Sequence, residues 1–220
     1  MNECSEPRYA PSVTATGLRE QRRQRVLEIN REHLLDAAEA VFGARGFEDA
    51  TIKEIAERAE LSVGAVYGIV HGKEDLLVQT LARRGAELLA AMEALAAGAE
   101  DARAQLHALA DLQIAYFRAH PDFGRLWLRW AGPGRWGLSP ASLDHVGGDL
   151  ERAMAVESGL IRRGQASGHV RAGDPDVLAH IFSGIVQAYQ ATDPASVGEA
   201  GAERLALADL HALVEGAFAP

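Results

Sequence analysis

Residues 51–75 read TIKEIAERAELSVGAVYGIVHGKED, and the architecture turns on this stretch. Ile52, Ile55, Ala56 and Ala59 recur at the spacing of one helix face. Thr51 precedes that pattern and Glu54 follows three residues later, the arrangement of a capping box. Ala56 is small, as a tight crossing with a neighbouring helix requires. Glu60-Leu61-Ser62 interrupts the period. Ser62 then caps a second helix, expected over Val63–Val70. His71-Gly72 ends it, and Glu74 and Asp75 fall in the first turn of a further helix, where the macrodipole favours negative charge. Two short helices joined by about three residues form a helix-turn-helix. In such a unit the first helix lies across the DNA backbone and the second presents its N-terminal end to the major groove.

Outward from this stretch the chain remains helical. Upstream, Leu34, Leu35, Ala38, Val41 and Phe42 make one apolar stripe, and Gly46 is the residue suited to a left-handed helix end. Residues 1–17 contain Pro, Ser, Thr and Gly without a hydrophobic period and read as a disordered leader. Downstream, Leu77, Leu81, Leu88, Met92 and Leu95 begin a series of long helices. Their breaks fall at Gly98, His120-Pro121, AGPGRWGLSP (131–140) and QASGHVRAGDP (165–175). Expected helices run from about Ser142 to Gly164, over 175–192 and over 200–217. Ala-rich runs favour helix by propensity, and no segment alternates over a strand's length. The expected fold is all-α. Residues 18–75 form a three-helix head with an Arg-rich N-terminal extension, and residues 76–220 form a larger helical bundle.

Composition narrows the class. The chain has 220 residues, 48% of them hydrophobic and 24% charged, values of an ordinary globular protein that can bury its own core. Cys4 is the single cysteine, so a disulfide framework is excluded and a cytoplasmic location is expected. No run approaches the ~20 apolar residues of a membrane span. The net charge of −9 is unevenly spread. Residues 1–85 hold 12 Lys and Arg against 14 Asp and Glu, and residues 86–220 hold 10 against 17. The acidity therefore lies mostly in the bundle. Residues 18–35 contain five Arg against three Glu. This fits either a solvated helix face or an arm that lies along phosphates.

The segment LLDAAEAVFGARGFEDATIKEIAERAELSVGAVYGIVHGKEDLL, residues 34–77, resembles the tetracycline-repressor-like (TetR) family of transcriptional regulators. The matching features are Gly46-Phe47, then Thr51, then Ile55-Ala56 with Ala59, then Ser62-x-Gly64 with Tyr67, then Lys73-Glu74 with Leu76. The resemblance implies a homodimer that binds a palindromic double-stranded DNA operator, usually as a repressor. It implies a small-molecule effector held in the bundle, and dimerisation through about 175–192 and 200–217. Phosphate contacts would come from Thr51, Ser62, Tyr67, His71 and Lys73. Base reading would fall to Val63, Gly64 and Ala65. Val63 and Ala65 donate no hydrogen bonds, so reading leans on thymine methyl groups. Two departures from the family pattern stand out. Glu60 occupies a turn position often held by Gly, and Gly68-Ile69-Val70-His71-Gly72 replaces a more polar or aromatic stretch. The alternative is a helical small-molecule-binding protein whose head binds DNA weakly or not at all.

The effector site is the less legible part. Tyr116, Phe117, Phe123, Trp127, Trp130 and Trp136 lie within 21 residues. They fit either a packed core or the walls of a pocket for an apolar or aromatic ligand, with His107, His120 or His145 as polar anchor. Arg125 and Arg129 are candidate partners of an anionic ligand. His107, His120 and His145 lack metal-ligand spacing, so no metal and no cofactor are expected. The phosphate-binding and nucleophile motifs of common enzymes are absent from the sequence, so no catalytic residue is assigned.

Overall fold

The computed structural model describes residues 15–98, 101–131, 139–199 and 203–220. Among them every regular element is helical. α1 spans Ala15–Asp49, α2 Ile52–Arg58, α3 Val63–Tyr67, α4 Lys73–Ala96, α5 Ala102–Ala119, α6 Pro121–Ala131, α7 Pro140–Ala166, α8 Pro175–Thr192 and α9 Leu207–Phe218, with a short 3-10 turn over Pro194–Val197 between α8 and α9.

The head forms because α1, α2, α3 and the start of α4 each present a few apolar residues to one point. Leu34, Ala38, Phe42, Ile55, Val66, Leu76 and Leu77 are all fully buried there. α1 begins at Ala15, three residues before the expected start, and residues 1–14 of the expected leader lie outside the described residues. The Arg-rich stretch is helical, with residues 18–29 exposed on every side. α1 bends at Gly46, whose φ of 81° is open to glycine, and one further turn carries it to Asp49.

The turn between α2 and α3 contains Glu60 at φ 57°. A side chain in this left-handed conformation costs about 1 kcal/mol relative to glycine. Glu60→Gly is therefore expected to stabilise the protein by on the order of 1 kcal/mol. Urea denaturation compares the two proteins directly, and an unchanged or lower midpoint would contradict the strain assignment.

The structure corrects three helix boundaries. α3 stops at Tyr67 and Gly68 caps it, shorter than the expected Val63–Val70, because a residue without a side chain mid-segment holds the helix weakly. α7 starts at Pro140, inside the segment read as loop. Ser139 Oγ accepts from the Ser142 amide, and Pro140 suits the first helical position. The last helix begins at Leu207 and not near residue 200. The Asp193 carboxylate accepts from the Leu205 amide at 3.0 Å and Arg118 donates to the Leu205 carbonyl at 2.8 Å. This pair holds the segment before α9 extended.

Head and bundle share packing. α6 lies against α1 so closely that a Cβ on Gly43 would sit 2.5 Å from the Asp122 carbonyl oxygen. Arg129 reaches from α6 to the Ala44 carbonyl at 3.3 Å. Arg83 of α4 pairs with Glu32, Asp36 and Glu39 of α1. Glu74, at the start of α4, accepts from the Ser139 amide at 2.7 Å. The Ser142 and Ser139 hydrogen bonds hold its carboxyl below its ordinary range.

Candidate DNA-binding face and ligand cavity

α3 is placed by its caps. Ser62 Oγ accepts from the Ala65 amide at 3.1 Å and fixes where the helix begins. Val66 points inward and is fully buried, which turns the opposite side of α3 to solvent. Val63 (41% exposed) and Tyr67 (55% exposed) share that side, and Gly64 is also exposed. Thr51 Oγ1 accepts from the Glu54 amide at 3.2 Å, and its hydroxyl hydrogen remains available as a donor. Glu54 directs its carboxylate to Arg45 at 3.0 Å, so the capping box is half formed. Thr51, Ser62, Val63, Gly64, Tyr67 and His71 are thus all exposed at one end of the molecule, with Ala65 half-buried beside them.

Lys73 is less free than the sequence suggests. Its ammonium donates to the Glu48 and Ala50 carbonyls, both at 3.1 Å, and sits 4.5 Å from the centre of the Phe47 ring. It closes the end of α1 onto α4 and keeps one N–H for another acceptor.

Behind the head lies a cavity of about 370 Å³, enclosed by α4, α5, α6, α7 and α8. Phe117, Phe123, Trp127 and Trp130 line it. Their rings form a continuous file, with centroid separations of 5.9 Å (Phe117 to Phe123), 6.2 Å (Phe123 to Trp127) and 5.2 Å (Trp127 to Trp130). Tyr116 packs edge-on against Phe117 and Phe123, with centroids 6.3 and 6.1 Å away, but it does not line the cavity; its hydroxyl donates to Glu87 at 2.8 Å. His107 stacks on His211 of α9 at 4.7 Å and His120 packs on Tyr116 at 4.6 Å, so neither faces the cavity. The side chain of His145, and Trp136 altogether, lie outside the described residues. Arg125 donates to the Val197 carbonyl at 2.6 Å and to Asp122, and Arg129 to the Ala44 carbonyl. Both serve the packing of α6, and neither lines the cavity.

Sequence reading missed the polar wall. Glu157 of α7 is 2% exposed. It accepts from Ser183 Oγ at 2.5 Å and from Gln113 Nε2 at 3.3 Å. Burial pushes its carboxyl up to about 7, against the lowering effect of those two hydrogen bonds. Gln190 of α8 is fully buried; its amide nitrogen donates to the Gly124 carbonyl at 3.2 Å, while its Oε1 has no hydrogen-bond partner. The signal for Glu157 was available. It interrupts the apolar file of Val146, Leu150, Ala153, Met154, Leu160 and Ile161 at helical spacing, where a carboxylate needs a reason.

A helix-turn-helix with an exposed second helix, joined to a hollow helical bundle, defines the class. The family described as bacterial regulatory proteins, tetR family, matches residues 34–80, the head and the start of α4, and the head is similar to that of this family. No curated protein matches the chain in sequence. Solved structures of similar fold include a ketosteroid transcriptional regulator of Mycobacterium tuberculosis. It has a TM-score of 0.69 and 17% identity over 86% of this chain and 95% of that one. A regulator from Bacillus subtilis in complex with stearoyl-CoA has a TM-score of 0.66 and 16% identity, over 84% and 94% of the two chains. A transcriptional regulator from Saccharomonospora viridis in complex with choline has a TM-score of 0.66 and 22% identity, over 84% and 93%. At these identities the likeness establishes the fold. No described helix is long and apolar enough to cross a membrane.

Proposed function

We propose that this protein is a ligand-responsive transcriptional repressor that binds a palindromic operator as a homodimer. One observation carries the reading. α6 supplies Phe123, Trp127 and Trp130 to the cavity and is docked, through Asp122 and Arg129, on the helix that supports the head. A ligand that moves α6 therefore moves α1, and differential affinity for two head placements becomes differential DNA affinity. Solved structures of the same fold were captured with stearoyl-CoA and with choline, which supports a ligand-binding role for this fold. Dimerisation is assigned to α8 and α9, where Val177, Ile181 and Leu213 are between 45% and 57% exposed on an otherwise well-packed bundle.

On DNA, Thr51, Ser62, Tyr67, His71 and the remaining N–H of Lys73 contact phosphates, and Val63, Gly64 and Ala65 meet base edges. Tyr67→Ala is expected to weaken binding on the order of a hundredfold at every operator alike, the loss of one charge-assisted hydrogen bond of about 1.5 kcal/mol in each of two heads. Changes at Val63 or Ala65 reorder operator preference instead. Gel retardation of the upstream DNA, with light scattering to give the mass of the free protein, tests both parts. A monomer in solution with no retardation of any candidate operator would favour a ligand-binding protein whose head has lost DNA.

A further inference from the structure

The two neighbouring ligands have unlike chemistry, so the fold does not choose between ligand classes; the wall of the cavity does. Two of its lining residues, Asp149 and Glu157, are acidic, and the remaining titratable one is His180. α4, α5 and α6 bring no titratable group to it, and no Lys or Arg lines it among the described residues. Arg162, at the rim of an adjacent depression, is neutralised by Asp176 at 2.6 Å. The buried acceptor Oε1 of Gln190 lacks a donor. The rings of Trp127, Trp130, Phe117 and Phe123 line the same cavity.

We propose that this cavity takes a hydrophobic organic cation, an ammonium bearing apolar or aromatic substituents, with Glu157 as its counter-charge and the tryptophan faces as its walls. This rests on the reading of the cavity as the ligand site. The chemistry is cumulative. Ring faces attract a cation through their quadrupoles, most strongly once it is desolvated. The carboxylate buried in the same space has no Lys or Arg beside it, and His180 offsets its burial only in part. An anion entering here would meet the Glu157 carboxyl and Asp149, the latter paired with Arg152 at 3.5 Å outside the lining, and no Lys or Arg in the wall itself, and a neutral ligand would leave Glu157 as it is. An arriving cation takes the place of the Glu157 proton. With the carboxyl titrating at about 7, binding near that pH releases about half a proton per ligand.

The test uses the full-length protein free of DNA and three probes of similar shape. They are benzyltriethylammonium, its neutral carbon isostere (2,2-diethylbutyl)benzene, and the anion 4-phenylbutyrate. Binding is followed by tryptophan fluorescence, and proton release by calorimetry in buffers of different ionisation enthalpy. The expected result is a preference of at least about tenfold for the cation over the neutral isostere, weakest binding of the anion, and proton release with the cation alone. Glu157→Gln should cut cation affinity about tenfold while leaving the neutral isostere unchanged, so that the isostere reports an intact cavity. Equal affinities, preference for the neutral or anionic probe, cation binding without proton release, or no binding of any probe at about 1 mM would overturn the proposal. A neutral or anionic preference leaves the regulator reading standing. Loss of that reading is scored separately, by operator retardation.

Discussion

Glu157→Gln is expected to make the protein more stable at pH 8 by up to about 3 kcal/mol, and at pH 5 by less than about 1 kcal/mol. The carboxyl titrates from 4.5 in the unfolded chain to about 7 in the folded one, because burial penalises its charged form. Below pH 4.5 both states hold the proton and the group is neutral to stability. Between 4.5 and 7 the native state binds more protons than the unfolded state, so stability falls as pH rises. Above 7 the native protein holds a buried carboxylate at full cost. Asp149 and His180 also face the cavity and are common to both proteins. The difference between parent and variant therefore isolates Glu157. Glutamine keeps the shape and can still pair with Ser183 and Gln113. Urea denaturation at pH 5, 6, 7 and 8 gives the curve, and a difference that does not grow with pH would remove the raised titration. The same cost gives the cavity its selectivity, since a cationic ligand relieves it and glutamine leaves nothing to relieve.

What could be read in advance divides along a physical line. The head was legible because its determinants are local. Thr51 and Ser62 cap helices within three residues of themselves, Glu60 takes the left-handed turn conformation, and Val66 alternates with Val63 and Tyr67 by helical geometry alone. The cavity was half legible. Four of the aromatic residues singled out converge on it, but clustering along the chain does not distinguish Phe117, which points inward, from Tyr116, which faces Glu87. The polar wall was not anticipated because Gln113, Glu157, Ser183 and Gln190 come from three helices and meet only on packing. Lys73 illustrates the opposite error. At a helix start it looks like a free cation, but Glu48 and Ala50 lie more than twenty residues earlier in the chain, and nothing local announces that their carbonyls receive its ammonium. The start of α9 failed for the same reason, since Arg118 and Asp193, far apart in sequence, together hold Leu205 out of helical conformation.

Arg118→Met should cost about 3–5 kcal/mol, the usual loss when one partner of a buried ion pair is removed. Asp193 is fully buried. Burial alone would raise its carboxyl, but Arg118 at 2.8 Å, the Ser196 hydroxyl at 2.6 Å and the Leu205 amide together hold it down to about 2. The pair ties the 3-10 turn and Leu205 to α5. Without the guanidinium the carboxylate stays buried with two neutral donors. A lowered titration contributes stability above the unfolded value of 3.8 and loses it as pH falls through about 2. The deficit of the Met variant should therefore narrow as the pH is taken from 5 towards 2. Adding Asp193→Asn to the variant removes the stranded charge and should recover more than half of the loss, because the penalty belongs to the unpaired ion and not to the missing bond. Additive losses in the double variant would show instead that the two residues act separately, and that some other contact holds Leu205 ahead of α9.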